Sequence, residues 1–266
     1  MKLTVLTENT ACSPEFQAVH GLSLHLKTDR HQILMDVGPG PQFCSNAKLL
    51  GIDLSTVDLC AISHGHDDHG GGLKDFLASN HTAPVYLSDM AFEDCFAGTK
   101  YIGLDKNLKT HPQMRFVSDF LTVDDQITLL TKIPGNTLLP KANTNLNDAK
   151  GPDPFLHEMV MLVEAQDKLL LLGGCAHRGI VNILEHATAT AGRYPDVVVS
   201  GFHLAAGGSG KCLADDAYLS ALSEKLLATG AMFYSCHCTG PEALKKLQAL
   251  MPGRLCALST GMSIEI

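Results

Sequence analysis

One segment constrains this chain more than any other. At the end of the apolar run Val57–Ser63 stands SHGHDDHGGG, which places His64, His66, Asp68 and His69 within six positions. Imidazole and carboxylate groups are ligands that zinc, iron and manganese favour, and the neighbouring glycines permit a tight backbone turn. Because unpaired polar groups are costly in a core, the segment predicts a metal-binding loop. A solvated histidine-rich loop and an adventitious metal loop without chemistry are the alternatives.

Histidines also follow the ends of four predicted strands. Strand-rich segments come first, from Lys2–Thr7 onwards, and α/β alternation follows. The four predicted strands are Val57–Ser63, Lys168–Leu172, Asp196–Ser200 and Phe233–Ser235. The histidines that follow them are His64, His177, His203 and His237. Because strand ends can converge at one edge of a sheet, we expect these side chains to meet there.

Several blocks of the sequence resemble one known superfamily. The His-x-His-x-Asp-His motif after an apolar strand is similar to the signature of the metallo-β-lactamase superfamily. One branch, the dihydropterin-methyl-ribofuranosylaminobenzene-phosphate synthase-like proteins, resembles the chain over nearly its whole length. The blocks that carry this likeness are LTENTA, HGLSLHL, ILMDVGPG, GGCAHRGIVNIL, GFHL, CHCTG and LSTGMSIEI. The resemblance implies an α/β fold, a four-layer αββα sandwich, with residues 1–266 forming a single domain and an excursion at about 98–151.

The resemblance also implies two divalent metal ions, with zinc expected and iron or manganese as alternatives. His64 and His66 would hold one ion, and Asp68 and His69 would hold the other. His177 would be the third ligand of one ion, and His237 the late histidine of the other. The superfamily usually adds an acidic or thiol bridging ligand after a later strand, and here that strand ends in Gly173-Gly174-Cys175. Cys175 could therefore bridge the ions, a shared water could replace it, or one site could be weak.

Other residues have a functional and a structural interpretation. Asp153, Glu158 and His157 precede a strand where the branch favours acidic residues, and Asp36 would orient a ligand histidine or the metal loop. Glu8 and Asn9 could face the pocket or simply form a turn. Alternation along an extended segment predicts that Cys236 and Cys238 point away from His237. The remaining histidines are expected at the surface or in the core: His20, His25, His31, His81, His111 and His186.

The resulting functional prediction is a metal-dependent hydrolase. A metal-held hydroxide would attack an ester, lactone, amide or phosphodiester in a polar small molecule. Asp68 would accept a proton, and His203, or a lysine from the 98–151 excursion, would steady developing negative charge. The alternatives are a metal-dependent synthase acting on a pterin or aminobenzene ribofuranosyl phosphate, a non-catalytic metal-binding sensor, and a di-iron redox protein, for whose usual flavin domain the chain has no room.

Composition limits the kinds of binding partner that we expect. The formal net charge of −8 disfavours nucleic acid, and the longest apolar stretches are too short to cross a membrane. We expect a small-molecule substrate and a possible homo-oligomer. Nine cysteines without a CxxC pair predict reduced thiols in the cytoplasm. The glycine-rich run Ala205–Lys211 predicts a lid, with a phosphate cradle as the alternative.

Overall fold

The computed structural model describes residues 1–207 and 210–266. Two seven-stranded sheets face each other, and a smaller four-stranded sheet lies beside them. Gly208 and Ser209, inside the run that the sequence predicts as a lid, lie outside the described residues. Within the described ranges, no helix is both long enough and apolar enough to cross a membrane. All nine cysteines are free thiols.

The first sheet combines strands from the beginning of the chain with the last one. Its strands are β1 (Lys2–Thr7), β2 (Ser23–Lys27), β3 (Gln32–Met35), β4 (Leu59–Ala61), β5 (Val85–Ser88), β8 (Met114–Val117) and β18 (Ser263–Glu265). Their order is β18-β1-β2-β3-β4-β5-β8. Pairing is antiparallel from β18 to β3 and parallel from β3 to β8. The parallel strands therefore carry their carboxyl ends to one edge.

The second sheet repeats this plan. Its strands are β9 (Phe120–Thr122), β10 (Ile127–Leu130), β13 (Val160–Ala165), β14 (Lys168–Leu172), β15 (Val197–Val199), β16 (Met232–Ser235) and β17 (Leu255–Ala257). Their order is β17-β16-β15-β14-β13-β10-β9. The strands β14 to β17 are parallel, and the others pair antiparallel. Each sheet thus has a parallel half whose strand ends can carry a site.

Helices cover the outer face of each sheet. They are α1 (Gln42–Leu49), α3 (Leu73–Ser79), α4 (Ile180–Ala191), α5 (Asp216–Ala228) and α6 (Pro241–Leu250), whereas the short helix α2 (Asp67–Gly70) carries Asp68 and His69. One apolar cluster joins side chains of both sheets, and two others join α1 and α3 to the first sheet and α4 to α6 to the second. Burying each large apolar side chain is worth about 1.5–3 kcal/mol. These three clusters establish the four-layer αββα sandwich that the resemblance predicts.

The segment at about 98–151 differs from the predicted excursion. Three of its strands, β8, β9 and β10, belong to the two main sheets. The small sheet consists of β6 (Cys95–Ala97), β7 (Lys100–Tyr101), β11 (Leu146–Asp148) and β12 (Gly151–Pro152). The sequence pattern that indicates strands is weak in this segment, because β8 and β9 are edge strands that expose apolar residues such as Phe116 and Phe120. The part that leaves the main sheets is consequently shorter than predicted.

Candidate metal centre

Two groups of side chains converge at the edge where the parallel strands end. We name them the first pole (His64, His66, His177) and the second pole (Asp68, His69, His237). In the first pole one ring nitrogen of each histidine lies within 4.8 Å of the others, and the Nε2 atoms of His64 and His177 are 3.3 Å apart. In the second pole the Nε2 atoms of His69 and His237 are 3.2 Å apart. Asp68 Oδ2 lies 3.2 Å from His237 Nε2.

Cys175 lies between the two poles. Its Sγ is 3.2 Å from His69 Nε2. The same sulfur forms groups within 4.8 Å with His64 and His69, and with His177 and His203. Cys175 follows β14 and is 3% exposed, so its thiol faces the site rather than solvent. A sulfur in this position can contact ions at both poles.

In each pole, an asparagine contacts the histidine that comes last in the sequence, His177 or His237. Asn143 donates its Nδ2 hydrogen to the carbonyl of His177 at 2.8 Å, and its Oδ1 lies 3.1 Å from His177 Nδ1. Asn9 makes the same pair of contacts with His237, at 3.4 and 2.8 Å. The amide orientation makes each Oδ1 an acceptor, so each histidine carries its ring hydrogen on Nδ1. The Nε2 lone pairs are therefore turned towards the poles.

Two buried glutamates fix the backbone of the same histidines. Glu158 accepts the backbone N–H groups of His177 and Arg178, each at 2.7 Å. Glu8 accepts the backbone N–H of His237, also at 2.7 Å. Burial raises the pKa of Glu158. Both carboxylates thus hold the turns that carry His177 and His237. Because both oxygens of Glu158 accept backbone hydrogen bonds, Glu158 is not placed as a bridging metal ligand.

Asp36 links the early histidines. Its Oδ2 lies 2.7 Å from His69 Nδ1 and accepts the Ser63 hydroxyl at 2.7 Å, while its Oδ1 accepts the backbone N–H of Ser63. Because the Ser63 hydrogen is used in this way, its Oγ accepts from His64 Nδ1 at 2.9 Å. Asp36 is fully buried at the end of β3. It orients His69 directly and His64 through Ser63.

These contacts test whether the site suits a metal. His64 and His177 both use their Nδ1 hydrogens, so two Nε2 lone pairs face each other across 3.3 Å. Such an approach is repulsive unless a cation lies between them. For metal–nitrogen bonds of about 2.0–2.1 Å, tetrahedral ligands lie about 3.3–3.4 Å apart. His66 Nε2 is also buried without a hydrogen-bond partner in the described part of the chain. The residues present therefore fit a divalent metal.

The proton affinities of the two poles differ. Burial, reinforced by neighbouring histidines, holds the pKa values of His64 and His177 well below the usual range. Burial and the nearby His157 lower the pKa of His66 to about 3. Burial alone would also lower the pKa of His69, but Asp36 and Asp68 outweigh it and raise the pKa to about 9. The first pole thus presents neutral imidazoles at neutral pH.

The neutral histidines predict acid sensitivity of the metal-free protein. His66 has its folded-state pKa below its unfolded-state value of 6.5, so stability is complete above pH 6.5 and falls as the pH falls towards about 3. By pH 5, His66 alone should cost about 2 kcal/mol. His69 has the opposite sign, and its contribution is lost as the pH rises through about 9. Urea unfolding of chelator-treated protein at pH 7 and pH 5 measures this loss.

A His66→Asn variant supplies the control for that experiment. It removes one buried titrating group, so its free energy of unfolding should change less between pH 7 and pH 5 than that of the unmodified protein. An equal loss in both proteins would show that His66 does not titrate as its burial requires.

His157 and Asp153 lie behind the first pole and do not act as a bridge. The backbone N–H of Gly65 donates to His157 Nδ1 at 3.0 Å, so the ring hydrogen is on Nε2, which lies 3.0 Å from Asp153 Oδ2. Cys95 and His66 complete a cluster within 4.8 Å. A metal on His157 would require a ring that has lost both hydrogens. The pair instead supports the backbone between His64 and His66.

His203 reaches the site from the end of β15. Its ring lies 4.1 Å from the ring of His177, and both its nitrogens are buried without a hydrogen-bond partner among the described residues. Cys238 also reaches the site, grouped with Cys175 and His237 within 4.8 Å. The alternation that placed Cys238 away from His237 was wrong, because His237–Thr239 forms a 3-10 turn. Cys236 packs in the apolar cluster between the sheets.

Two site residues were missed by the sequence interpretation. Asn143 lies in the predicted excursion, where no local signal distinguishes it from other asparagines. His20 was expected at the surface or in the core without a role as a ligand; its side chain is 49% exposed, and its Nε2 lies 3.4 Å from Asp68 Oδ2. Partial burial, and then proximity to His237, lowers the pKa of His20. The only sequence signal for His20 was its position at the start of HGLSLHL, one of the blocks that resemble the synthase-like branch.

Comparisons with known proteins agree with the fold. No protein-family model matches the sequence. A solved structure described as a metal-dependent hydrolase of the beta-lactamase superfamily is 28% identical, with a TM-score of 0.84 over 100% of this chain and 99% of that one. An uncharacterized protein of Methanocaldococcus jannaschii is 26% identical, covering 93% of this chain and 94% of its own length.

A second relative from Methanocaldococcus jannaschii bears a functional name. It is 7,8-dihydropterin-6-methyl-4-(beta-D-ribofuranosyl)-aminobenzene-5'-phosphate synthase, 26% identical, with 91% of this chain and 89% of the relative covered. Fold and histidine-lined edge together define a metallo-β-lactamase-type protein. The chain has the metallo-β-lactamase fold, and its similarity to a metal-dependent hydrolase of that superfamily supports metal use.

Proposed function

We propose that the protein is a metal-dependent hydrolase that holds two divalent cations, one at each pole, and acts on a polar small molecule. The observation that carries this proposal is the approach of His64 Nε2 to His177 Nε2 at 3.3 Å with both Nδ1 hydrogens engaged elsewhere. The second pole brings two more Nε2 atoms to within 3.2 Å of each other and adds the carboxylate of Asp68. Zinc suits this imidazole, carboxylate and thiol donor set.

Cations bound at the poles would supply a water of lowered pKa, from 15.7 in bulk to roughly 7, and would polarise a substrate oxygen. His64, His66 and His177 would hold the first cation. Asp68, His69 and His237 would hold the second, with Cys175 between them. The asparagine and glutamate contacts keep the ring nitrogens in place before any ligand arrives, which is the preorganisation that catalysis needs.

Asp68 and His203 are the two residues to which we assign chemistry. The side chain of Asp68 is 18% exposed, whereas those of His69 and His237 are 0% and 1% exposed, so its carboxylate faces the opening of the site. Nearby histidines outweigh the effect of burial and hold the pKa of Asp68 well below its usual range. It can therefore accept a hydrogen bond from an attacking water. The unpartnered ring of His203 can donate a hydrogen bond to developing negative charge.

Metal analysis combined with turnover tests the proposal. The purified protein should contain about two equivalents of a divalent metal, and a chelator should abolish turnover that zinc or manganese then restores. A panel of esters, lactones, amides and phosphodiesters defines the bond that is cleaved. A protein that turns over one of these substrates fully without metal would contradict the proposal.

A synthase is the second candidate, because one relative with that name covers 91% of the chain. In this case the site would activate a pterin or an aminobenzene ribofuranosyl phosphate. The second substrate, in place of water, would displace a leaving group from the first, so the bond to that group breaks as the new bond forms. Product analysis by mass spectrometry separates the two reactions: hydrolysis adds the mass of water across a cleaved bond, whereas the synthase joins two substrates. Bound metal without turnover on either panel would instead indicate a sensor.

A further inference from the structure

His20 lies at the open side of the second pole. It belongs to the loop between β1 and β2, its side chain is 49% exposed, and its ring centroid lies 4.6 Å from that of His237. We propose that His20 is a further metal ligand, which completes the second pole on the side that faces the opening. The inference rests on the proposed function, because it requires a cation at that pole.

Distances at the second pole match a ligand set. Asp68 Oδ2 lies 3.4 Å from His20 Nε2 and 3.2 Å from His237 Nε2. The Nε2 atoms of His69 and His237 are 3.2 Å apart. These separations are close to the edges of about 3.3–3.4 Å expected around a tetrahedral ion. The separation of 3.9 Å between His69 Nε2 and Asp68 Oδ2 is the longest of the set.

The loop that carries His20 is attached to the ligands themselves. The backbone N–H of Leu22 donates to the carbonyl of Asp68 at 3.2 Å, and the N–H of Gly21 donates to Asn9 Oδ1 at 3.3 Å. Asn9 Oδ1 is the same atom that accepts from His237 Nδ1. The loop next to His20 is thus held by Asp68, a member of the second pole, and by Asn9, which also holds His237.

Gly21 shows how closely the loop that carries His20 approaches the backbone of Asp68. Its φ is +150°, and a Cβ at this position would lie 2.4 Å from the carbonyl oxygen of Asp68. Only a residue without a side chain allows the contact that brings His20 over His237. An ordinary exposed histidine would need none of these attachments, so the geometry favours a built ligand position.

The consequence is an asymmetric centre. With His20, the second pole has four imidazole or carboxylate groups in addition to the shared thiol of Cys175, and four is the number of protein ligands found in closed zinc sites. The first pole has three histidines, the number typical of a catalytic zinc that keeps one position open. Substrate oxygen would then bind at the first pole.

Metal titration of three variants tests the role of His20. His20→Ala should weaken binding of one of the two Zn²⁺ equivalents by at least about tenfold, since even partners outside the ligand set change affinity by 10–100-fold. His20→Asn keeps a hydrogen-bonding group near Asp68 but no imidazole, so it should show the same loss. His81→Ala, in an exposed histidine away from the site, should bind both equivalents normally.

Co²⁺ substitution adds a readout that does not depend on activity. Loss of an imidazole should change the visible d–d absorption of one Co²⁺ equivalent in His20→Ala, and X-ray absorption should count fewer imidazoles per metal. Unchanged affinity and spectra, or full recovery in His20→Asn, would overturn the inference while leaving two bound cations and the proposed function intact. Failure of the unmodified protein to bind metal would remove the proposed function itself.

Discussion

Replacing His64 with alanine should remove one of the two divalent cations and lower kcat/KM by at least about a hundredfold. Mutation of a residue that merely supports a metal ligand costs 10–100-fold in affinity or activity, and His64 is itself placed as a ligand. Its Nε2 faces His177 Nε2 across 3.3 Å, so alanine removes one of the three imidazoles of the first pole. Elemental analysis and steady-state kinetics on the substrate that the panel identifies measure the two effects.

The matched control is His186→Ala. His186 lies on α4, on the outer face of the second sheet, and takes no part in either pole. This variant should retain both cations and ordinary turnover. If His64→Ala also retained two cations and unimpaired kcat/KM, the first pole would not be the metal site. Far-UV circular dichroism shows whether both variants keep their fold.

The elements that the sequence predicts best are the strands formed by continuous or alternating hydrophobic runs. Lys2–Thr7 and Lys168–Leu172 were predicted as strands, and β1 and β14 have these bounds. Hydrophobic runs of this kind can be buried only as strands or helices, and their length favours strands. Parallel neighbours then bring the following residues to one edge, which is why His64, His177 and His237 meet.

Residues that act through loops could not be predicted in this way. The contact of His20 with Asp68 arises because Gly21 packs on the backbone of the metal loop, and no periodic pattern records that approach. Cys238 was misplaced because alternation applies to extended strands, whereas His237 has a φ of +53° at the start of a tight turn. Tertiary geometry decided both positions.

His177 and His237 are held by the same pair of residue types, one glutamate and one asparagine each. In the first sheet the segment after β1 supplies Glu8 and Asn9, which hold the backbone and ring of His237. For His177 the same two contacts come from Glu158, just before β13, and from Asn143. Each histidine is thus held by residues from outside its own strand. For His237, on the second sheet, the support comes from the segment that follows β1 of the first sheet, so its position depends on the packing of the two sheets.

Asp36→Asn and Asp36→Ala should have the largest effects on stability. Asp36 accepts three hydrogen bonds in a fully buried position, from the Ser63 backbone, the Ser63 hydroxyl and His69 Nδ1. Removing one partner of a buried charged pair typically costs about 3–5 kcal/mol. We expect a loss of this size in the free energy of unfolding of the metal-free Asp36→Ala protein, measured by urea unfolding at pH 7.

The asparagine variant separates charge from shape. Its amide would direct N–H groups either at His69 Nδ1 or at the Ser63 backbone N–H, and in the first case the ring hydrogen of His69 moves to Nε2, which faces the second pole. Asparagine tolerates the φ of +60° at this position, so the backbone stays unstrained. Asp36→Asn should therefore lose the second cation with a smaller loss of stability than Asp36→Ala.

Asp58→Ala provides the matched control for both variants. Asp58 likewise pairs with a histidine, at 3.2 Å from His31 Nδ1, and accepts the backbone N–H of Gln32 at 3.0 Å, but its side chain is 43% exposed and remote from the poles. Exposed pairs contribute about 0–1 kcal/mol, so this variant should unfold nearly as the unmodified protein does and bind both cations. An equally small effect of Asp36→Asn on metal binding would mean that orientation of His69 does not depend on the Asp36 charge.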